Sequence, residues 1–212
     1  DGTGDYLSTP DHADWDLTDF TIEAFVYHTK TDAANEYYYS QWVSNHNYRR
    51  FGRLGSGSSS VISYKAKESS ATIIEVLSSA TPLSIDTWHH VAVVRENDDY
   101  FIFVDGVDVT SSGTPDISNP AALAAAVHIG ESDTGGYMTG YIDEIRVSNT
   151  ARYTSGFTPT TTQFTSDANT KLLIHCGETK TGTTGSGATF TDSGNTGHTV
   201  TENGNAIEST GN

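Results

Sequence analysis

The strongest constraint on the fold of this chain is a series of short apolar segments that alternate at period two and are separated by turn residues. Phe20-Thr21-Ile22-Glu23-Ala24-Phe25-Val26-Tyr27 is one, and Trp88-His89-His90-Val91-Ala92-Val93-Val94-Arg95 is another. Asn97-Asp98-Asp99 turns the second into Tyr100-Phe101-Ile102-Phe103-Val104, and Asp105-Gly106 then gives the strongest short hairpin signal in the sequence. Successive side chains of a strand point to opposite faces, so such segments bury one face each and must be stacked in layers. Further strands are expected over Tyr37 to Trp42, Val61 to Tyr64, Ile73 to Val76, Val127 to Ile129, Tyr141 to Val147 and Leu172 to His175. Gly55 to Ser60 reads as a flexible turn, and Asn119 to Ala126 is the one helical segment expected, a turn or two long. The expected fold is all-β, a two-sheet antiparallel β-sandwich that buries Phe20, Ile22, Trp88, Val91, Phe101 and Ile142 between its layers.

At 212 residues the chain is long enough for one such sandwich. A formal net charge of −16 disfavours contact with phosphate backbones and anionic lipid, so nucleic acid is not an expected partner. The single cysteine, Cys176, has no partner for a disulfide within the chain and reads as a small buried hydrophobe. No apolar run is long enough to span a membrane, and no membrane insertion is expected. From Thr179 onward the sequence turns rich in Gly, Thr, Ser and Asn. Disorder and short edge strands are both compatible with that composition. Turn residues at Asp192 to Asn195 and Asn203 to Asn205 punctuate the sparse apolar positions and favour the strands.

Six stretches in order carry a family likeness: Asp1-Gly2-Thr3-Gly4-Asp5-Tyr6-Leu7, Asp19 to Val26, Thr87 to Arg95, Phe103-Val104-Asp105-Gly106, His128-Ile129-Gly130 and Gly140 to Val147. With them the chain resembles the laminin G-like, or concanavalin A-like, jelly-roll domains. The resemblance implies two curved antiparallel sheets and a binding role toward glycans, proteins or calcium. It also implies a division into a sandwich body over residues 1–165 and C-terminal strands over residues 166–212. In that family the apolar and turn-rich stretches found here after Lys171 look like the opening of a unit. The C-terminal strands are therefore expected to complete either this sandwich or a neighbouring repeat.

Relatives of this fold also imply structural calcium near the opening loop and the last strand, which in this sequence means Asp1, Asp5 and Asp143. The competing reading makes Asp1 and Asp5 turn residues and Asp143 a hydrogen-bond acceptor. No other cofactor is expected. Glycoside hydrolysis needs two carboxyl groups across one sugar bond. Asp143 and Glu144 are adjacent and point to opposite faces of a regular strand, while Glu23 and Glu75 each stand alone, so the chain is not expected to be an enzyme. Glycan binding needs aromatic faces beside polar groups, and Asn35 to Trp42 and Asn45 to Arg50 supply both. The expected rim is Tyr38, Asn45, His46, Tyr48 and Arg49. The alternative is that these aromatics pack the sandwich edge while Arg49 and Arg50 pair with the acidic excess. Taken together, the sequence reads as a non-enzymatic extracellular structural or adhesive module, a repeat or subunit of a fibre or virion appendage built through contacts between copies of itself. A lectin-like carbohydrate-binding module is the alternative.

Overall fold

The computed structural model describes residues 2–30, 35–55, 60–69, 71–78, 83–115, 121–132, 135–176 and 189–207. The strands in chain order are β1 (Tyr6–Thr9), β2 (Phe20–His28), β3 (Asn35–Ser44), β4 (Asn47–Leu54), β5 (Val61–Glu68), β6 (Ala71–Ser78), β7 (Trp88–Glu96), β8 (Asp99–Val104), β9 (Val107–Asp108), β10 (Thr110–Pro115), β11 (Val127–Ile129), β12 (Gly140–Ser148), β13 (Thr170–Ile174) and β14 (Thr201–Asn203). They form an eight-stranded sheet in the order β10-β6-β5-β4-β3-β11-β1-β14 and a six-stranded sheet in the order β13-β12-β2-β7-β8-β9. Every pairing between these strands is antiparallel, which gives the expected all-β two-sheet sandwich. β13 pairs with β12, and β14 pairs with β1 of the same chain.

Alternation explains the core. Phe20, Ile22, Ala24 and Val26 of β2 face inward with Val91 and Val93 of β7 and Ile102 of β8. They meet Tyr38, Phe51, Ile62 and Tyr64 of the opposite sheet. Two residues expected inside lie elsewhere. Trp88 is 46% exposed, and Phe101 packs with Ala92, Val94 and Phe103 on the outer face of the six-stranded sheet. Both are out of phase with Val91 and Ile102, so the same periodicity that buries those two turns Trp88 and Phe101 outward. Residues 121–126 are not helical, and Asn119 and Pro120 lie outside the described residues. Of the turn expected at Gly55 to Ser60, residues 56–59 also lie outside them. The short 3-10 turn at Ala13–Trp15 is the helical element among the described residues.

The outer face of the six-stranded sheet is not left to solvent. Residues 149–169 cross it, and Tyr153 and Phe157, whose rings stack with centroids 3.6 Å apart, cover Phe103 and His90. Beneath them lies Glu23, fully buried. Its Oε1 accepts from Arg146 Nε at 2.8 Å, and its Oε2 is 3.0 Å from both His90 Nε2 and the Tyr153 hydroxyl. Arg152 ties the crossing segment down through a bidentate pair with Asp167 at 2.9 and 2.8 Å. That guanidinium holds the Asp167 carboxyl well below its ordinary value.

The β8–β9 hairpin fits under the same segment. Asp105 and Gly106 both have positive φ, 50° and 77°, the signature of a two-residue type I′ turn. A Cβ on Gly106 would lie 1.9 Å from the Phe157 carbonyl oxygen. Gly106→Ala is therefore expected to cost more in chemical denaturation than the about 1–3 kcal/mol of a strained turn alone. A cost near zero would show that residues 149–169 yield freely.

A second buried charge joins the layers themselves. Glu36 of β3 and His28 of β2 are both fully buried, with His28 Nδ1 2.8 Å from Glu36 Oε2. Arg53 Nε of β4 donates to the same oxygen at 3.0 Å, and the Thr139 amide donates to Glu36 Oε1 at 2.7 Å. Burial pushes both the Glu23 and Glu36 carboxyls up. His90 and Arg146 outweigh it at Glu23, and His28, the Thr139 amide and Arg53 do so at Glu36, so both are held below the usual range. A depressed carboxylate contributes stability that is complete above its unfolded-state value, near 4.5, and is lost as pH falls through the lower folded value. The melting temperature is therefore expected to fall with acid below about pH 4.5. Glu36→Gln should weaken that acid dependence and cost about 3–5 kcal/mol at neutral pH, because it leaves the buried Arg53 charge without its counter-charge. The check is a pH series of melting curves for both proteins.

Candidate functional site

At one end of the sandwich the layers part into a groove of about 690 Å³. It is lined from both sheets: by β1 and the end of β11 on one side, and by the end of β2 and the starts of β7 and β12 on the other. Leu7, Ile129, Met138, Ile142 and Phe190 supply apolar lining, and Asp5, Asp143 and Asn205 supply carboxylate and amide groups.

Three aromatic side chains stand in a row along this groove. Tyr141 of β12 pairs in register with Tyr27 of β2, which pairs with Trp88 of β7. Being directly opposite one another, they share one face. Ring centroids are 5.7 Å apart for Tyr27 and Tyr141 and 5.5 Å apart for Tyr27 and Trp88. Trp88 and Tyr141 are 46% and 47% exposed. They continue the face that carries Glu23 and Phe25, but Phe164, which covers Phe25 and His90, makes no ring contact with them. Burial and the Asp86 carboxylate that it bonds hold the Tyr27 phenol above its ordinary value.

The backbone under this row is fixed from below. Gly140 opens β12 with φ of 145°, and a Cβ there would lie 1.9 Å from the Tyr27 carbonyl oxygen. Only glycine permits that approach. The neighbouring Thr139 carbonyl accepts from Thr29 N at 3.2 Å, and its amide is the one held by Glu36. The ionic lock between the layers thus sits directly behind the aromatic row.

The structure separates the residues expected at a glycan rim. Tyr38 is fully buried; its hydroxyl lies 3.0 Å from His28 Nε2 and its ring packs edge-on to Phe51. Arg49 is also buried, donating to the carbonyls of Trp15 at 2.8 Å and Ala121 at 3.0 Å. Neither can reach a ligand. The register shifts within the β3–β4 pairing between Tyr37 and Tyr39 and again between Trp42 and Ser44, and simple alternation does not carry across such irregularities. Asn45 and His46 are exposed at the β3–β4 turn. Tyr48 stacks on Trp42 at 4.9 Å, with the Arg50 guanidinium 4.2 Å from the Trp42 ring and 4.4 Å from the Tyr48 ring. Arg50, and not Arg49, is the arginine on that outer face. The row Tyr27, Trp88 and Tyr141 escaped the sequence reading because Trp88 was assigned to the core. The cue available was the phase of Trp88 relative to Val91.

The remaining carboxylates bear structural loads. Asp143 Oδ1 accepts from the amides of Glu144 at 2.8 Å and Cys176 at 2.9 Å. Glu144, at positive φ in a β12 bulge, accepts from Phe164 N at 2.6 Å and lies 2.6 Å from His175 Nδ1. Asp5 Oδ1 accepts from Asn205 N at 2.9 Å. Asp5 and Asp143 line the same groove, while Asp1 lies outside the described residues. Calcium takes six to eight oxygens. Among the described residues no third His, Cys, Asp or Glu joins these two carboxylates. Cys176 also lines the groove, half-buried against the core.

Comparison with solved structures agrees with this architecture. A candidate carbohydrate-binding protein from Bacteroides ovatus superposes with a TM-score of 0.62 at 13% identity, covering 97% of this chain and 60% of its own. Domains LG4-5 of the mouse laminin alpha1 chain superpose with a TM-score of 0.53 at 14% identity, covering 76% of this chain and 46% of theirs. This chain thus spans well under two thirds of the laminin structure and 60% of the Bacteroides protein. At such identities the likeness is one of fold. No curated protein sequence matches the chain. The Laminin_G_3 family model matches residues 1–155, most of its length, and the chain belongs to the concanavalin A-like lectin/glucanases superfamily.

Proposed function

We propose that this chain is a non-catalytic, lectin-like adhesive module that works outside the cell and binds glycans along the Tyr27, Trp88 and Tyr141 row. The observation that carries the reading is the exposure of Trp88 and Tyr141 beside a groove that also offers Asp5, Asp143 and Asn205. Sugar rings present apolar faces and polar edges. A row of half-exposed aromatics bordered by a few convergent polar groups matches both, and is the kind of site in which small polar ligands are held. The Bacteroides ovatus structure, described as a candidate carbohydrate-binding protein, supports the same reading. A reading as a hydrolase lacks support from geometry, since Glu23 and Glu36 are buried and bonded to partners and Glu144 is bonded to Phe164 N and His175. Assembly into a fibre is the narrower form of the adhesive reading. Strand donation would serve it, with β13 or β14 pairing on β12 or β1 of a neighbouring copy as they pair here within the chain.

A glycan array followed by titration of the best ligand tests the proposal. Trp88→Ala and Tyr141→Ala are each expected to weaken binding about thirtyfold, the loss of an anchor worth about 2 kcal/mol. Tyr48→Ala, in the largely buried stack with Trp42 and Arg50 on the other sheet, should bind as the parent does. Loss in Tyr48→Ala with retention in the other two would move the site to that face. An array without a single ligand would remove the glycan reading altogether. Binding is further expected to persist in EDTA. Its loss on chelation, with recovery on adding calcium, would instead place calcium at the rim formed by Asp1, Asp5 and Asp143.

A further inference from the structure

A cluster remote in sequence and unused by the glycan reading joins the turn after β1 to the segment before β14. His12 and Asp14 belong to the 3-10 turn, His12 as its N-cap, and His198 lies 184 positions beyond Asp14. Asp14 Oδ2 is the focus: His198 Nε2 is 3.0 Å away and His12 Nδ1 is 3.3 Å away. One ligating atom from each of the three residues lies within 4.8 Å of the others. Zinc binds imidazole nitrogen and carboxylate oxygen at about 2.0–2.2 Å in a tetrahedron, which sets ligating atoms roughly 3.3–3.5 Å apart. Two of the three spacings are therefore close to those of a bound set, and the third needs only a small closure.

The surroundings orient these donors. The His198 ring packs on Trp15 at 4.5 Å and edge-on to His12 at 4.8 Å, while the His198 amide donates to Asp192 Oδ2 at 2.7 Å. Thr196, Lys171, His198 and His12 all lie against the Asp14 carboxylate. Lys171 Nζ lies 3.7 Å from Asp14 Oδ1, which leaves Oδ2 as the ligating oxygen.

We propose that His12, Asp14 and His198 form a site for a borderline-soft divalent cation, Zn²⁺ foremost, bound by two imidazole nitrogens and one carboxylate oxygen with a fourth position open to water. Two imidazoles exclude calcium and magnesium, which demand oxygen ligands, and suit zinc, copper or nickel. Without metal, His12 Nδ1 accepts the Asp14 amide at 3.1 Å and Thr196 Oγ1 donates to Asp14 Oδ2 at 2.5 Å. Loading exchanges these bonds for coordinate ones. The ion would clamp the N-terminal turn to the C-terminal segment, so its occupancy should register as stability.

The test is calorimetric titration of chelator-stripped protein with zinc chloride, followed by melting curves. The comparison is parent, His12→Ala, His198→Ala and His46→Ala, the last altering an exposed histidine in the β3–β4 turn. The parent is expected to take up about one equivalent and to melt higher when loaded, and its cobalt form to show the intense visible absorption of four-coordination. His12→Ala and His198→Ala should each lose at least about tenfold in affinity, about 1.4 kcal/mol, with His46→Ala unchanged. The His12 side chain is 46% exposed, so its replacement leaves a folded protein even if His198→Ala does not. Equal uptake by the parent and His12→Ala, or uptake without defined stoichiometry, would overturn the site.

Discussion

The arrangement of this molecule turns on the Glu36 carboxylate. One side chain of the eight-stranded sheet there accepts from Arg53 of its own sheet and from the amide of Thr139 at the entry to β12 of the other, with His28 Nδ1 of that other sheet 2.8 Å away. Hydrophobic burial brings two sheets together without saying where they stop sliding. A directional, charge-assisted set of bonds does say so. Tyr27 precedes His28 and Gly140 follows Thr139, so the same contact fixes the ends of the two strands from which Tyr27 and Tyr141 project.

Much of the architecture was legible in the residues. The alternation of β2 and β7 and the Asp105-Gly106 turn led directly to the hairpins and the layers. β4 was not legible, because Asn47-Tyr48-Arg49-Arg50-Phe51-Gly52-Arg53-Leu54 places arginines on the inward face beside Phe51. Those arginines are admitted because each finds buried partners, Glu36 for Arg53 and the carbonyls of Trp15 and Ala121 for Arg49. A binary pattern has no means of registering such compensation. The site was less legible than the fold. Tyr38 and Arg49 belong to a composition that suits sugars, yet Tyr38 sits at a register shift in β3 and Arg49 shares the inward phase of Phe51 and Arg53 in β4, so both are buried. Trp88 has the opposite history. A large apolar residue at the start of an apolar strand reads as core until its phase is counted.

Two features divide the surface of the sandwich into distinct roles. Residues 149–169 seal the Glu23, His90 and Arg146 cluster and roof the middle of the six-stranded sheet. Beyond that roof, at the ends of β2, β7 and β12, Trp88 and Tyr141 stay half-exposed. The opposite sheet carries the Trp42, Tyr48 and Arg50 stack, whose rings and guanidinium satisfy one another. Aromatic content alone therefore does not distinguish a binding row from a self-contained one. The distinction lies in whether the ring faces are already occupied.

The place of β1 has a kinetic consequence. Its two neighbours, β11 at Val127–Ile129 and β14 at Thr201–Asn203, are both distant in the chain. A ribosome or secretion channel delivers the first strand long before either partner emerges. Until then its backbone donors and acceptors have only water or foreign chains to bond. Closure of a loop of that length comes late, so the eight-stranded layer should mature from its β3–β4–β5–β6 meander outward, with the outermost pair last to zip.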